Sequence, residues 1–234
     1  VLNVADDDSV AEGLKALSAE YGPPLVLVNN AGITRDNLML RMKADEWQDV
    51  INTNLNSLYR VTKACLKGMT KARWGRVINI SSVVGTMGNA GQANYAAAKM
   101  GIVGLSKSMA LDMQRFGVTS NCIAPFAWSR LIGSIPTDSE EQKARVAKIQ
   151  KMTPDKIATL AVSLCSDQAK NVSGQIFGVR NNEIFLFSQP RPFRSAHTSE
   201  GWTPETVLSR VLPAFEADFY PLSRSADVFS WDPF

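Results

Sequence analysis

Histidine is nearly absent. His197 stands alone in 234 residues, which excludes any site built on two histidine ligands, and its place in the C-terminal part reads as surface rather than acid–base chemistry. Cysteine is scarce as well: Cys65, Cys122 and Cys165 are too few and too scattered for a disulfide framework, and they read as small core hydrophobes in a reducing compartment. No excess charge of one sign exists. Lys and Arg number 25 against 22 Asp and Glu, a net charge of +3, and no window holds the dense basic run of a nucleic-acid footprint. No apolar run reaches the roughly 18 residues of a membrane span. The opening VLNVADDD is acidic where a secretory signal would be basic and then apolar, so the expected location is the cytoplasm, with no membrane partner. Internal repeats and low-complexity stretches are absent too.

What is there is a regular alternation. LVLVNNAG (25–32), GRVINISS (75–82) and VTSNCIAP (118–125) are short apolar runs that read as buried strands, and 174–188 reads as two strands joined at Asn181-Asn182. Apolar spacing predicts helices over 9–22, 44–71, 92–117, 153–167 and 203–215, the first after an Asp-rich cap and the fourth opened by Thr153 and Pro154. The 45% hydrophobic content supports one large core. Alternating strands and helices predict the α/β class, a doubly wound, Rossmann-type parallel sheet covered on both faces, which binds ligands beyond the carboxyl ends of its strands. Asn29 to Gly32, Ser81 and Ser82, and the residues after Pro125 all fall there. The domain should span 1–188. Beyond it lies a C-terminal extension, 189–234, expected to pack on the domain or on a neighbouring subunit, since eight of the ten phenylalanines lie from Phe177 onward.

Tyr95 and Lys99 sit four residues apart on a predicted helix and therefore share a face. An ammonium beside a phenol lowers the phenol pKa and makes an acid–base group usable near neutrality. Tyr59 and Lys63 repeat the spacing. Ser82, thirteen residues before Tyr95 at a strand end, separates the two, because the residue thirteen before Tyr59 is Glu46 inside a helix. Tyr59 and Lys63 are therefore read as structural, as is Ser81.

In order and spacing, NNAG (29–32), Asn54 in TNL, Ser82 in NISS and Tyr95-Ala-Ala-Ala-Lys99 resemble the short-chain dehydrogenase/reductase family over about residues 1–188. Two branches resemble it most: 3-oxoacyl-acyl-carrier-protein reductases and the (3R)-hydroxyacyl-CoA dehydrogenase part of multifunctional β-oxidation enzymes. The resemblance implies hydride transfer between NAD or NADP and a secondary alcohol or ketone, a 3-hydroxyacyl or 3-oxoacyl thioester being the expected substrate. It implies that Tyr95 exchanges the proton, Ser82 bonds the substrate oxygen, Lys99 binds the nicotinamide ribose, and Asn54 holds a water that relays protons to Lys99. Cofactor contacts are implied at Asn3, Val4, Asn30, Ala31, Gly32, Tyr95, Lys99, Pro125 and Trp128. No metal is implied.

The sequence departs from the pattern in two places. It contains no glycine-rich turn to set the cofactor pyrophosphate on a helix N-terminus, so the expectation is a chain lacking on the order of 50 residues at its start. Such a chain would have an uncovered sheet edge and would be inactive as it stands. After Pro125, Phe126 stands where the family commonly has Gly, and the Thr expected further on is missing. Pro-x-Ala-x-Ser-Arg (125–130) leans toward the β-oxidation branch, and 131–152 reads as a substrate lid. The alternative from another class is a non-catalytic scaffold that keeps the fold. Helices 44–71 and 92–117, apolar on more than one face, predict a closed oligomer through isologous contacts, and the resemblance implies that it is a homotetramer.

Overall fold

A computed structural model describes residues 2–127 and 139–234. Four parallel strands and one antiparallel strand form a single sheet in the order β1-β2-β3-β4-β5: β1 (Val26–Asn29), β2 (Gly75–Ile80), β3 (Val118–Phe126), β4 (Ile176–Arg180) and β5 (Glu183–Leu186). Alternating side chains give each strand two faces. Val77 joins Val10, Val61, Cys65, Met69, Met109 and Val118 on one side. Ile78 and Ile123 face the other, against Leu160, Leu164 and Val179. Helices α1 (Asp7–Tyr21), α3 (Ser57–Ala72) and α5 (Ala93–Met113) cover the first face and α7 (Pro154–Leu164) the second. The expected doubly covered α/β sheet is thus the observed one, and the chain turns from β4 into β5 at Asn181, whose φ of 54° is left-handed.

Several elements differ from the sequence reading. Residues 2–5 form a turn, because Asn3 Oδ1 accepts from Ala5 N at 3.0 Å and the Asn3 carbonyl from Asp6 N at 3.2 Å. Asp6 then caps α1, its carboxylate accepting from Ser9 N. β1 is an edge strand with only Asn29 buried, leaving Val26 and Val28 44% and 46% exposed. The helix expected over 44–71 is α2 (Ala44–Ile51) and α3 joined by a π-helical turn, Asn52–Asn56. Three asparagines in that turn weaken the ordinary helical ladder. The helix expected over 203–215 is likewise interrupted by a π segment, Val207–Val211, just ahead of Pro213, which has no N–H to give the preceding turn.

Candidate functional site

The site is assembled at the carboxyl ends of β1, β2 and β3. Ile80 ends β2, and Ser81 and Ser82 lead into α4 (Val83–Met87). Ser82 is the N-cap, its hydroxyl accepting from Val84 N at 3.2 Å. Ser81 is buried and donates to the Lys99 carbonyl at 2.7 Å, fastening α5 to the end of β2. Gly85 makes the junction close: a Cβ there would lie 2.9 Å from the Lys99 carbonyl carbon, Lys99 Cβ and Met100 N. Only a residue without a side chain lets α4 lie this near the backbone of α5.

That contact brings the expected residues together. Tyr95 is half-buried, with the Ser82 side chain near its hydroxyl. Burial pushes the Tyr95 phenol above its ordinary value; the Ser82 hydroxyl opposes this and the Asp36 charge adds to it. This corrects the expectation that Lys99 lowers the phenol. The ammonium lies 5.5 Å from the centre of the Tyr95 ring and donates to the Ile80 carbonyl at 2.7 Å. Lys99 is only 4% exposed, and burial pulls its pKa down to about 8. By contrast, Lys63 reaches the Tyr59 hydroxyl at 2.9 Å, but on an exposed helix surface.

Asn54 points inward from the π turn and is fully buried. Its Oδ1 accepts from Ile33 N and its Nδ2 donates to the Ile33 carbonyl, both at 2.8 Å. Both ends of the amide thus clamp the loop after β1. Asn94 was missed by the sequence reading. It is also fully buried; its Nδ2 donates to the carbonyls of Arg35 and Glu46 and its Oδ1 accepts from Tyr95 N. An asparagine in the first turn of the helix, directly before the tyrosine, was the available signal. Asn79 was missed too: it accepts from Asn29 Nδ2 and donates to Ser120 Oγ, tying β1, β2 and β3 together below the site.

Asn30, Ala31 and Gly32 follow β1 directly and are exposed. Gly32 faces the site: a Cβ on it would lie 3.3 Å from Asn54 Oδ1 and 3.7 Å from Lys99 Nζ, so its absence leaves a slot beside the ammonium. Asn3 and Val4 lie in the turn before α1, where Asn52 Nδ2 donates to the neighbouring Ala5 carbonyl at 3.3 Å. Pro125 lies in β3 opposite Val179. Trp128 and residues 131–138 of the expected lid lie outside the described residues; the lid's later part is α6 (Glu140–Gln150). No described helix is long and apolar enough to cross a membrane.

The slot beside Lys99 fits the ribose end of a nicotinamide cofactor, since the ammonium has N–H groups beyond the one given to Ile80. The N-terminus of α1 does not fit a pyrophosphate. Asp6 already caps it, and Asp7 and Asp8 put negative charge in its first turn.

A doubly covered parallel sheet with Ser82, Tyr95 and Lys99 at its carboxyl end defines a dehydrogenase-type fold, and family comparison makes the class definite. The model described as enoyl-(acyl carrier protein) reductase matches residues 1–180, and the chain belongs to the short-chain dehydrogenase/reductase family. Its relatives include the 3-oxoacyl-[acyl-carrier-protein] reductase of Pseudomonas aeruginosa, 50% identical over 176 residues, 74% of this chain and 71% of the relative. Those of Vibrio cholerae and Escherichia coli are 47% and 46% identical, covering 79% and 76% of this chain and 77% and 74% of theirs.

Two outcomes follow from the junction. Gly85→Ala should push α4 away from α5 and lower turnover about a hundredfold in a protein that keeps its circular dichroism spectrum, because sub-ångström placement of Ser82 against Tyr95 is lost; unchanged turnover would show the contact to be slack. The second concerns Lys99. The unfolded chain holds the Lys99 proton up to pH 10.5 and the folded chain only to about 8, so rising pH between these values favours folding. In urea titrations, wild type should gain on Lys99→Met by roughly 1 kcal/mol or more across that range. A difference that does not change with pH would mean the lysine is not held desolvated.

Proposed function

We propose that this protein is an NAD- or NADP-dependent oxidoreductase that interconverts a 3-oxoacyl thioester and the corresponding 3-hydroxyacyl thioester. The observation that carries this is the placement of Ser82 and Tyr95 beside the buried Lys99, at the carboxyl end of β2. When bound, the nicotinamide supplies or accepts the hydride at the substrate carbon. In the reducing direction, Tyr95 donates its proton to the carbonyl oxygen as charge develops there, while the Ser82 hydroxyl donates a hydrogen bond to the same oxygen. A phenol that burial keeps protonated suits donation. Lys99, anchored on Ile80, offers its remaining N–H groups to the ribose hydroxyls and its positive charge to the tyrosinate left after transfer. Asn54 and Asn94 are positioning residues: the first fixes the loop that carries Gly32, the second the turn that carries Tyr95. Asn3, Val4, Asn30, Ala31, Pro125 and Trp128 are assigned to the cofactor surface.

The acyl-carrier-protein branch is preferred over the β-oxidation branch because the relatives at 46–50% identity are 3-oxoacyl-[acyl-carrier-protein] reductases. A second reading, a family fold that binds without turnover, is favoured by one feature, the acidic and self-capped N-terminus of α1. Turnover of a 3-oxoacyl thioester, followed by loss of reduced nicotinamide absorbance, separates the two. Tyr95→Phe should lower kcat by about a hundredfold or more with cofactor affinity retained, and Tyr59→Phe should leave kcat unchanged. Equal effects would remove Tyr95 from its role, and wild type that neither turns over nor binds NADH or NADPH would leave the scaffold.

We assign the protein to the cytoplasm and to a homotetramer, the latter because α3 and α5 keep Tyr59 and Met100 exposed on the sides turned from the sheet. Domain 1–188 carries the chemistry and 189–234 is an extension. Light scattering at micromolar concentration should return four chains; a monomer would overturn the assembly.

A further inference from the structure

The extension lies beyond the family match at residue 180, and no role assigned above falls in it. Its last ten residues nevertheless return to the site. Helix α10 (Ser225–Val228) delivers Phe229 onto Val83 and Met87 of α4 and onto Ala124 and Phe126 of β3. Val83 follows Ser82, and Phe126 follows Pro125. The strand alternation fixes which side this is. Cys122 packs with Ile102 and Val103 of α5, whereas Ile123 faces α7, so Ala124 and Phe126 lie on the α5 side, where Tyr95 is.

Phe229 is only 8% exposed, and its ring meets those of Phe126 and Phe185 edge-on at 4.8 and 5.2 Å between centres. The residues after it are fastened by polar bonds. Arg180 Nη2 donates to the Trp231 carbonyl at 2.7 Å, Trp231 Nε1 to Glu183 Oε1 at 2.6 Å, and Asn181 Nδ2 to the Pro233 carbonyl at 2.7 Å. Asp232 pairs with Lys148 of α6. A ring packed edge-on and anchored on both the sheet edge and a helix does not swing aside as a surface side chain does.

We propose that Phe229 is a specificity-determining residue, a wall that the strap 225–234 places beyond Ser82 and that limits the length of the acyl chain the site accepts. The inference rests on the reading that Ser82 and Tyr95 hold the substrate oxygen. With the oxygen held there, a chain extending along α4 meets the Phe229 ring, and its further methylenes compete with a side chain that is already buried. Short 3-oxoacyl chains fit and long ones are refused.

The test compares kcat/KM for the 3-oxododecanoyl and acetoacetyl thioesters of N-acetylcysteamine. Phe229→Ala should raise the long-to-short ratio by about tenfold or more, since even one methylene in an apolar pocket decides on that order. Phe229→Leu, which keeps the core filled should the alanine variant fail to fold, should raise it less, and Trp231→Ala, which loosens the strap, should raise it too. A ratio unchanged in a folded Phe229 variant that still turns over acetoacetyl thioester overturns the wall while leaving the reaction intact. Calorimetric binding of the dodecanoyl and butyryl thioesters reads the same preference without turnover. Wild type that reduces neither substrate fails the functional reading, yet a gain in dodecanoyl over butyryl affinity on Phe229→Ala would still support the wall. No such gain, or no binding of either thioester by any variant, overturns it.

Discussion

Lys99 carries an ammonium into a place almost without water, and the surrounding site is arranged to tolerate it. The Ile80 carbonyl takes one of its N–H groups, and the phenol ring of Tyr95 turns its face toward the charge. Burial still pulls the lysine down to about 8, so the group titrates near physiological pH instead of remaining a fixed cation. A buried charge without full compensation costs stability, and it persists only where the scaffold holds it by other means. Here those means are the Ser81 bond to the Lys99 backbone and the close approach of α4 at Gly85, the contacts that also set Ser82 against Tyr95. The same packing that isolates the lysine therefore assembles the pair beside it.

Amides do the remaining positioning. Asn54 and Asn94 are fully buried, and each has carbonyl or N–H partners on a different segment. Together they join the loop after β1, the π turn and the first turn of α5. A side-chain amide can both donate and accept, so one residue satisfies two backbone groups that would otherwise be unpaired away from water. The π turn serves this purpose: its wider register turns Asn54 toward Ile33 while α2 and α3 continue on either side.

How much of this was legible depended on the range over which each signal acts. Strand ends and helix periods are local, so the sheet, its order of elements and the turn at Asn181 could be read from apolar runs and turn residues. Tyr95 and Lys99 are one turn apart, and Ser82 is tied to them by its place at a strand end. What Asn94 and Asn79 hold together was not legible, because their cross-chain partners lie 59, 48, 50 and 41 residues away. Nor was the direction of the Tyr95 shift: spacing puts an ammonium near a phenol, but only the packed structure reveals that both are desolvated and that the nitrogen is aimed at Ile80. The interruption of 44–71 was hidden because three asparagines lower helical preference without indicating where an extra residue will be accommodated.

Position 126 links the family core to the extension. Where the family commonly has glycine, this chain places a phenylalanine on the site face of β3, and a ring there exposes apolar surface at the mouth of the crevice unless something covers it. Phe229 supplies the cover, backed in turn by Phe185, and Arg180 lies 6.0 Å from the centres of both the Phe126 and Phe229 rings, with its guanidinium against Trp231 at 5.4 Å. With a glycine at this position Phe229 would lose the ring it meets at 4.8 Å, and Phe126 would have no roof without the strap. The change in β3 and the tail that closes on it therefore form one interlocked surface, standing between the site residues and the outer edge of the sheet.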